Sequence, residues 1–193
     1  MLDTRSQQLE IIDLGPDAYT KEEYFDCLKQ LGKVGKWLGG DRATLRALSK
    51  MKGMPESILD VGCGGGTFTL KMAKAFPQAH ILGIDLNPYA IEFAKNAATQ
   101  VKHLHFEIRA QKELKEPPKS FDVVTSTLVC HHIPDKDLIT FIAKACQIAK
   151  RKVVINDLHR HPLALALFKI ISPICFRNRL VLHDGPLSIR RAF

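Results

Sequence analysis

The chain has 193 residues, the size of one domain with a short extension. Apolar residues make up 46% and charged residues 25%, which excludes collagen, a long coiled coil and wholesale disorder. The net charge of +8 permits an anionic partner, but no basic stripe interleaved with aromatics occurs, so nucleic acid is not the expected one.

No run of about 18 uncharged apolar residues occurs, so no spanning helix is predicted. The N-terminus lacks the basic and apolar regions of a secretory signal. Cys27, Cys63, Cys130, Cys146 and Cys175 are odd in number, far apart and form no CxxC pair. Reduced thiols and a cytoplasmic location are the expectation.

Residues 1–18 read as a loose lead-in, broken at Gly15-Pro16. Residues 20–38 place Tyr24, Leu28, Leu31, Val34 and Leu38 at helical spacing, with Thr20 as N-cap and Glu23 three residues later. Gly39-Gly40 ends that helix. Asp41 caps a second, running to about Met51. From Ser57 strands alternate with helices: strands at 57–62, 80–85, 103–108, 121–127 and 152–158, helices at 67–76, 88–99 and 135–149. Pro88 fits a first helical turn. Near-continuously apolar strands predict a parallel sheet covered on both faces, the doubly wound α/β fold.

The sharpest feature is Ile58-Leu59-Asp60-Val61-Gly62-Cys63-Gly64-Gly65-Gly66-Thr67, between a predicted strand and a predicted helix. Glycines admit a ligand close to the backbone. The pattern is GxGxG, not the GxGxxG of a dinucleotide site, because residue 67 is Thr67. No Lys-Ser/Thr pair follows, so it is not a phosphate-gripping loop. A carboxylate at Asp60 repels pyrophosphate and suits a cation. Asp85 ends the next strand, where an acid accepts from ribose hydroxyls. A positively charged nucleoside follows, and S-adenosylmethionine fits.

Residues 58–67, 81–87 and 121–134 resemble the successive motifs of class I S-adenosylmethionine-dependent methyltransferases of the small-molecule type. The resemblance covers about 57–158. It implies that Asp60 and the loop with Gly62, Cys63, Gly64 and Gly66 hold the donor's amino-acid end. It also implies that Asp85 holds the ribose and that Leu86 and Asn87 flank the adenine. The backbone of Thr127 and Leu128 is expected to pass under the donor. Members commonly carry an acid after the third strand, where this chain has Ala110. Gln111 is the substitute adenine contact. The product would be S-adenosylhomocysteine.

The fourth strand runs into Cys130-His131-His132-Ile133-Pro134-Asp135, and the fifth into Asp157-Leu158-His159. Both ends face one crevice in a parallel sheet. Methyl transfer needs alignment above all. For a phenolic or enolic acceptor a neutral histidine removes the proton. His131 or His132 is the first candidate and His159 the second; the competing reading is a packed pair that starts a helix. No metal is expected.

Residues 162–176 are the most apolar stretch. They read as a buried helix, a lid, or an interfacial helix making peripheral membrane contact. The tail resembles that of bacterial methyltransferases associated with polyketide-type pathways. Gly185-Pro186 is expected to interrupt it. The division is an N-terminal helical cap (1–56), a donor-binding α/β core (57–161) and an apolar helix with a truncated C-terminal part (162–193). Five parallel strands are predicted, with the edge hairpin common in the family missing or truncated. The exposed edge makes a homodimer an expectation. The function read from this is methyl transfer to a small apolar or aromatic acceptor, at oxygen or carbon. RNA or protein methylation, or a silent donor-binding subunit, are the alternatives.

Overall fold

The computed structural model describes residues 4–37 and 39–193. One sheet contains β1 (Ser57–Val61), β2 (His80–Asp85), β3 (Leu104–Ile108), β4 (Phe121–Thr127) and β5 (Ala149–Asn156). Every pairing is parallel, in the order β3-β2-β1-β4-β5. The helices are α1 (Lys21–Trp37), α2 (Gly40–Ser49), α3 (Thr67–Ala75), α4 (Pro88–Ala97), α5 (Asp135–Ile148), α6 (Pro162–Cys175) and α7 (Arg179–Arg191). The strand order reverses between β1 and β4, so a crevice opens at their carboxyl ends.

Period-two alternation sends neighbouring side chains of one strand to opposite layers. Ile58 joins Leu48, Met72, Ala73, Ile91 and Ala94 on one face. Leu59 and Val61 join Phe141, Ala145 and Ile148 of α5 on the other. A third cluster lies outside the sheet, where Tyr24, Cys27 and Leu28 of α1 meet Ala90, Leu180 and Val181.

Asp41 is not the cap of α2: the helix starts at Gly40 behind Gly39, and the Asp41 carboxylate pairs with Lys71 instead. Two further elements differ from the sequence reading. The fifth strand starts at Ala149, not 152, and carries one extra residue opposite Phe121–Val123. Lys150, Arg151 and Lys152 disguise it. An edge strand tolerates them because its outer side is not buried. Among the described residues β5 pairs only with β4. α2 lies along it: Lys152 Nζ donates to the Ala47 carbonyl at 2.8 Å and Asn156 Nδ2 to the Gly40 carbonyl at 2.9 Å. The second difference is α7, which runs unbroken through Gly185-Pro186. A Cβ at Gly185 would lie 2.3 Å from the Phe168 ring, so the glycine is there for close approach of α6, not for a turn.

Candidate functional site

Asp60 sits near the end of β1, its side chain toward α3. It is buried, and its Oδ2 accepts from Thr69 Oγ1 at 2.7 Å. Burial drives its pKa up to about 7 against the help of the Thr69 hydroxyl, and the Asp85 charge adds to the rise. A carboxyl whose folded pKa lies above its unfolded value stabilises the fold below the unfolded pKa and loses that contribution as pH rises. The rise from 3.8 to about 7 spans about 3 pH units, at most about 4 kcal/mol at 1.36 kcal/mol per unit. Asp60→Asn is therefore expected to flatten the loss of stability between pH 4 and about 7. Urea midpoints at pH 5 and pH 8 check this. An unchanged difference between the two would remove the cost assigned to Asp60.

The bend after β1 takes positive φ at Gly62 (72°), Gly64 (52°) and Gly66 (71°). Gly62 and Cys63 both donate to the Ile84 carbonyl, at 2.8 and 3.0 Å, so the bend is stitched to β2. Asp85 Oδ2 accepts from the Gly64 N–H at 2.8 Å, and Oδ1 from the Asn87 N–H at 2.9 Å. Each oxygen keeps a further lone pair for a ligand hydroxyl. Burial raises the Asp85 pKa, and the backbone bonds hold against it. A Cβ at Gly64 would meet nothing within 4 Å, which leaves open space beside this carboxylate.

The Asn87 side chain is engaged within the fold. Its Oδ1 caps α4 by accepting from the Tyr89 N–H at 2.9 Å, and its Nδ2 donates to Tyr19 Oη at 2.7 Å. Leu86 is exposed. Gln111 opens a 3-10 turn after β3, and its side chain lies outside the described residues. Thr127 Oγ1 is buried without a partner, and Leu128 holds φ of 59°. A non-glycine residue at positive φ is uncommon and marks a constrained loop. Its N–H donates to the Asn156 carbonyl at 2.8 Å, so β5 fixes it.

The structure brings His131 and His132 together, ring centroids 4.1 Å apart, in the turn after β4. His131 is 3% exposed. Its Nδ1 lies 2.6 Å from Asp157 Oδ1, and its N–H donates to Asp157 Oδ2 at 3.1 Å. Burial tends to raise Asp157, but the His131 bond and charge outweigh it and leave it below its usual value. The ionised Asp157 keeps the proton on Nδ1 and turns Nε2 toward Glu10 Oε1, 3.8 Å away. Burial also lowers the His131 pKa, which favours the neutral ring.

His132 mirrors that arrangement with a different result. Nδ1 lies 2.7 Å from Asp13 Oδ1, and Nε2 lies 3.9 Å from Glu10 Oε2. Burial pulls its pKa down, but the Asp13 bond and the Glu10 and Asp13 charges lift it above 6.5. Its side chain is 22% exposed, the more open of the two. Glu10 is 1% exposed and burial drives its pKa to about 7. Asp13 falls to about 2 because the His132 and Arg191 bonds and charges overcome burial.

Sequence reasoning missed Glu10, Asp13 and Arg191. Arg191 ion-pairs with Asp13 and stands 3.5 Å from Glu10 Oε1. Arg5 pins the histidine turn from outside by donating to the carbonyls of His131 and Ile133, both at 2.8 Å. Asp184 holds the Ile11 and Ile12 N–H groups at 2.9 and 3.2 Å. No motif joins positions so far apart in the chain. The donor atoms of Glu10, His131 and His132 lie within 4.8 Å of one another, a set that can hold a metal ion. The Arg191 guanidinium already beside Glu10 opposes a dication there. His159 is exposed, and its ring neighbour is His161, 5.7 Å away.

A family model described as a methyltransferase domain matches residues 53–169. A ubiquinone biosynthesis O-methyltransferase of Xanthomonas euvesicatoria pv. vesicatoria is 33% identical over 115 residues, 57% of this chain and 46% of that protein. A trans-aconitate 2-methyltransferase of Deinococcus radiodurans is 38% identical over 78 residues, 40% of this chain and 28% of that protein. The chain thus spans less than half the length of these two relatives. Among solved structures, the plantazolicin methyltransferase BpumL in complex with SAH superposes with a TM-score of 0.67 at 20% identity, over 92% of this chain and 65% of that one. At that identity the likeness speaks for the fold.

Proposed function

The chain belongs to the methyltransferase domain family, and from that premise we propose that it binds S-adenosylmethionine and methylates a small apolar or aromatic acceptor at oxygen or carbon. The observation that carries the reading is Asp85, bonded to the Gly64 N–H beside open space at the crevice. The residues fit the donor on three counts. Asp85 retains acceptor capacity for ribose hydroxyls. The Gly62–Gly66 bend admits a close approach. The orphaned Thr127 hydroxyl awaits a partner.

When bound, the donor supplies a methyl group already activated on a sulfonium. The chain's own contribution is to align the acceptor and take its proton. His132 Nε2 is the accepting atom: Nδ1 is fixed by Asp13, and its side chain is the more open of the pair. Once protonated, the ring faces Asp13 and Glu10, both of which favour the cation. His131, tied to Asp157, positions its neighbour from behind. The acceptor class is supported by the Xanthomonas relative, a ubiquinone biosynthesis O-methyltransferase.

Asp85→Ala is expected to weaken S-adenosylhomocysteine binding by about 1–3 kcal/mol, roughly 5- to 150-fold in Kd. Calorimetry measures it, and unchanged affinity would reject the ribose role. Turnover of radiolabelled donor against phenols, quinones, carboxylic acids and tRNA tests the acceptor. Labelling of tRNA alone would overturn the small-molecule reading.

A further inference from the structure

We propose that α6 is an interfacial helix that seats the protein on an anionic lipid bilayer. Leu163, Leu167, Ile170, Ile171 and Ile174 are all exposed and repeat at 4, 3, 1 and 3 residues, one face of a helix. Ile170 is 67% and Ile174 82% exposed. The opposite face holds the helix to the body through buried Ser172 and through Phe168, which packs over Gly185 and lies 6.4 Å from Phe176. A helix of 14 residues is about 21 Å long. It is too short to span a bilayer, and no helix among the described residues is long and apolar enough to do so. Lying in the interface is the geometry left to it.

Charge selects the occupant. Residues 158–183 contain no Asp or Glu but include Arg160, Lys169, Arg177 and Arg179. Arg179 is paired with Glu23, whereas Lys169 and Arg177 are exposed with no acidic partner among the described residues. Beside the stripe a groove of about 690 Å³ is lined by Thr4, Ser6, Pro162, Leu165, Lys169 and Arg190. Two cations and two hydroxyls at its rim, over an apolar wall, match a phosphate headgroup above acyl chains. A second copy of this chain would instead set these cations against one another. The anionic surface of a membrane removes that repulsion, and each nearby Lys or Arg strengthens attachment.

The test is flotation of the whole chain with phosphatidylcholine vesicles containing about 30% phosphatidylglycerol, against pure phosphatidylcholine. The expected result is binding to the charged vesicles that weakens at about 0.5 M salt. Ile170→Glu with Ile174→Glu is expected to lower partitioning about tenfold or more, with unchanged circular dichroism because both positions are exposed. Lys169→Glu is expected to weaken it less. Equal partitioning of parent and double variant, or equal binding to uncharged vesicles, would overturn the proposal. So would a lipid-free dimer that the double variant converts to monomer, which would assign the face to a second copy. Donor binding by calorimetry is expected to stay intact in every variant, so failure here is distinct from failure of the methyl-transfer reading.

Discussion

His132→Asn is expected to lower kcat by about 10²-fold or more while leaving S-adenosylhomocysteine affinity largely unchanged, the pattern of a lost general base. The argument rests on where the ring's two nitrogens face. Nδ1 is held by Asp13, and Nε2 faces Glu10 across 3.9 Å, too far for a hydrogen bond. That leaves Nε2 free to meet an acceptor hydroxyl. The pH dependence follows from the same contacts. Asp13 and Glu10 lift the His132 pKa above 6.5, and only the neutral ring accepts a proton. Activity is therefore gained as pH rises through a value above 6.5. Asp13→Asn removes one charge and weakens the bond to Nδ1, so the acid limb moves to lower pH. His131 in the same role would put the limb below 6.5, because burial lowers its pKa. A kcat/KM profile of the parent and Asp13→Asn separates the two, and full activity of His132→Asn would end the assignment.

Gly62→Ala is expected to destabilise the fold by about 2–5 kcal/mol, a large share of an ordinary domain's stability. The added Cβ would lie 2.3 Å from Val129 Cγ2 and 3.2 Å from Val129 Cβ. The overlap with Cγ2 is severe, and the contact with the branch point needs a further shift of a few tenths of an ångström that no rotamer change supplies. The positive φ of 72° adds backbone strain. Val129→Ala in the same chain removes the two Cγ collisions and leaves the milder Cβ contact and the strain, so the double variant is expected to be more stable than the sum of the single changes predicts. Denaturant midpoints of the four chains measure this. Simple additivity would show that Val129 is not what excludes the side chain.

The sheet was legible because its strands are apolar and its turns are marked by glycine and proline. Asp60 and Asp85 stood out because each ends a strand beside the glycine bend. β5 was misplaced by three residues because its Lys and Arg side chains belong to an edge, where exposure suspends the apolar rule. Gly185-Pro186 read as a break, since one-dimensional spacing does not reveal that Phe168 of another helix presses on Gly185. Asn87 also caps α4, a role that its local chemistry, Asn before Pro at a helix start, already described. Glu10, Asp13 and Arg191 had no local signal at all. Their meaning comes from contacts with His131 and His132 across the fold, and burial of charge is invisible in a linear pattern.

The histidine pair draws on three separate parts of the chain: Arg5 to Asp13, the turn after β4 with Asp157, and Asp184 to Arg191. Translation delivers these parts in order, and domains fold as they emerge. A ribosome that has released the five strands has produced a sheet with its glycine bend but without Arg191, and with the strap at Glu10 lacking its anchor at Asp184. Such a half-made protein has the glycine bend and Asp85 before it has the contacts that hold the histidine pair. The surroundings of the pair are therefore complete only once α7 has emerged.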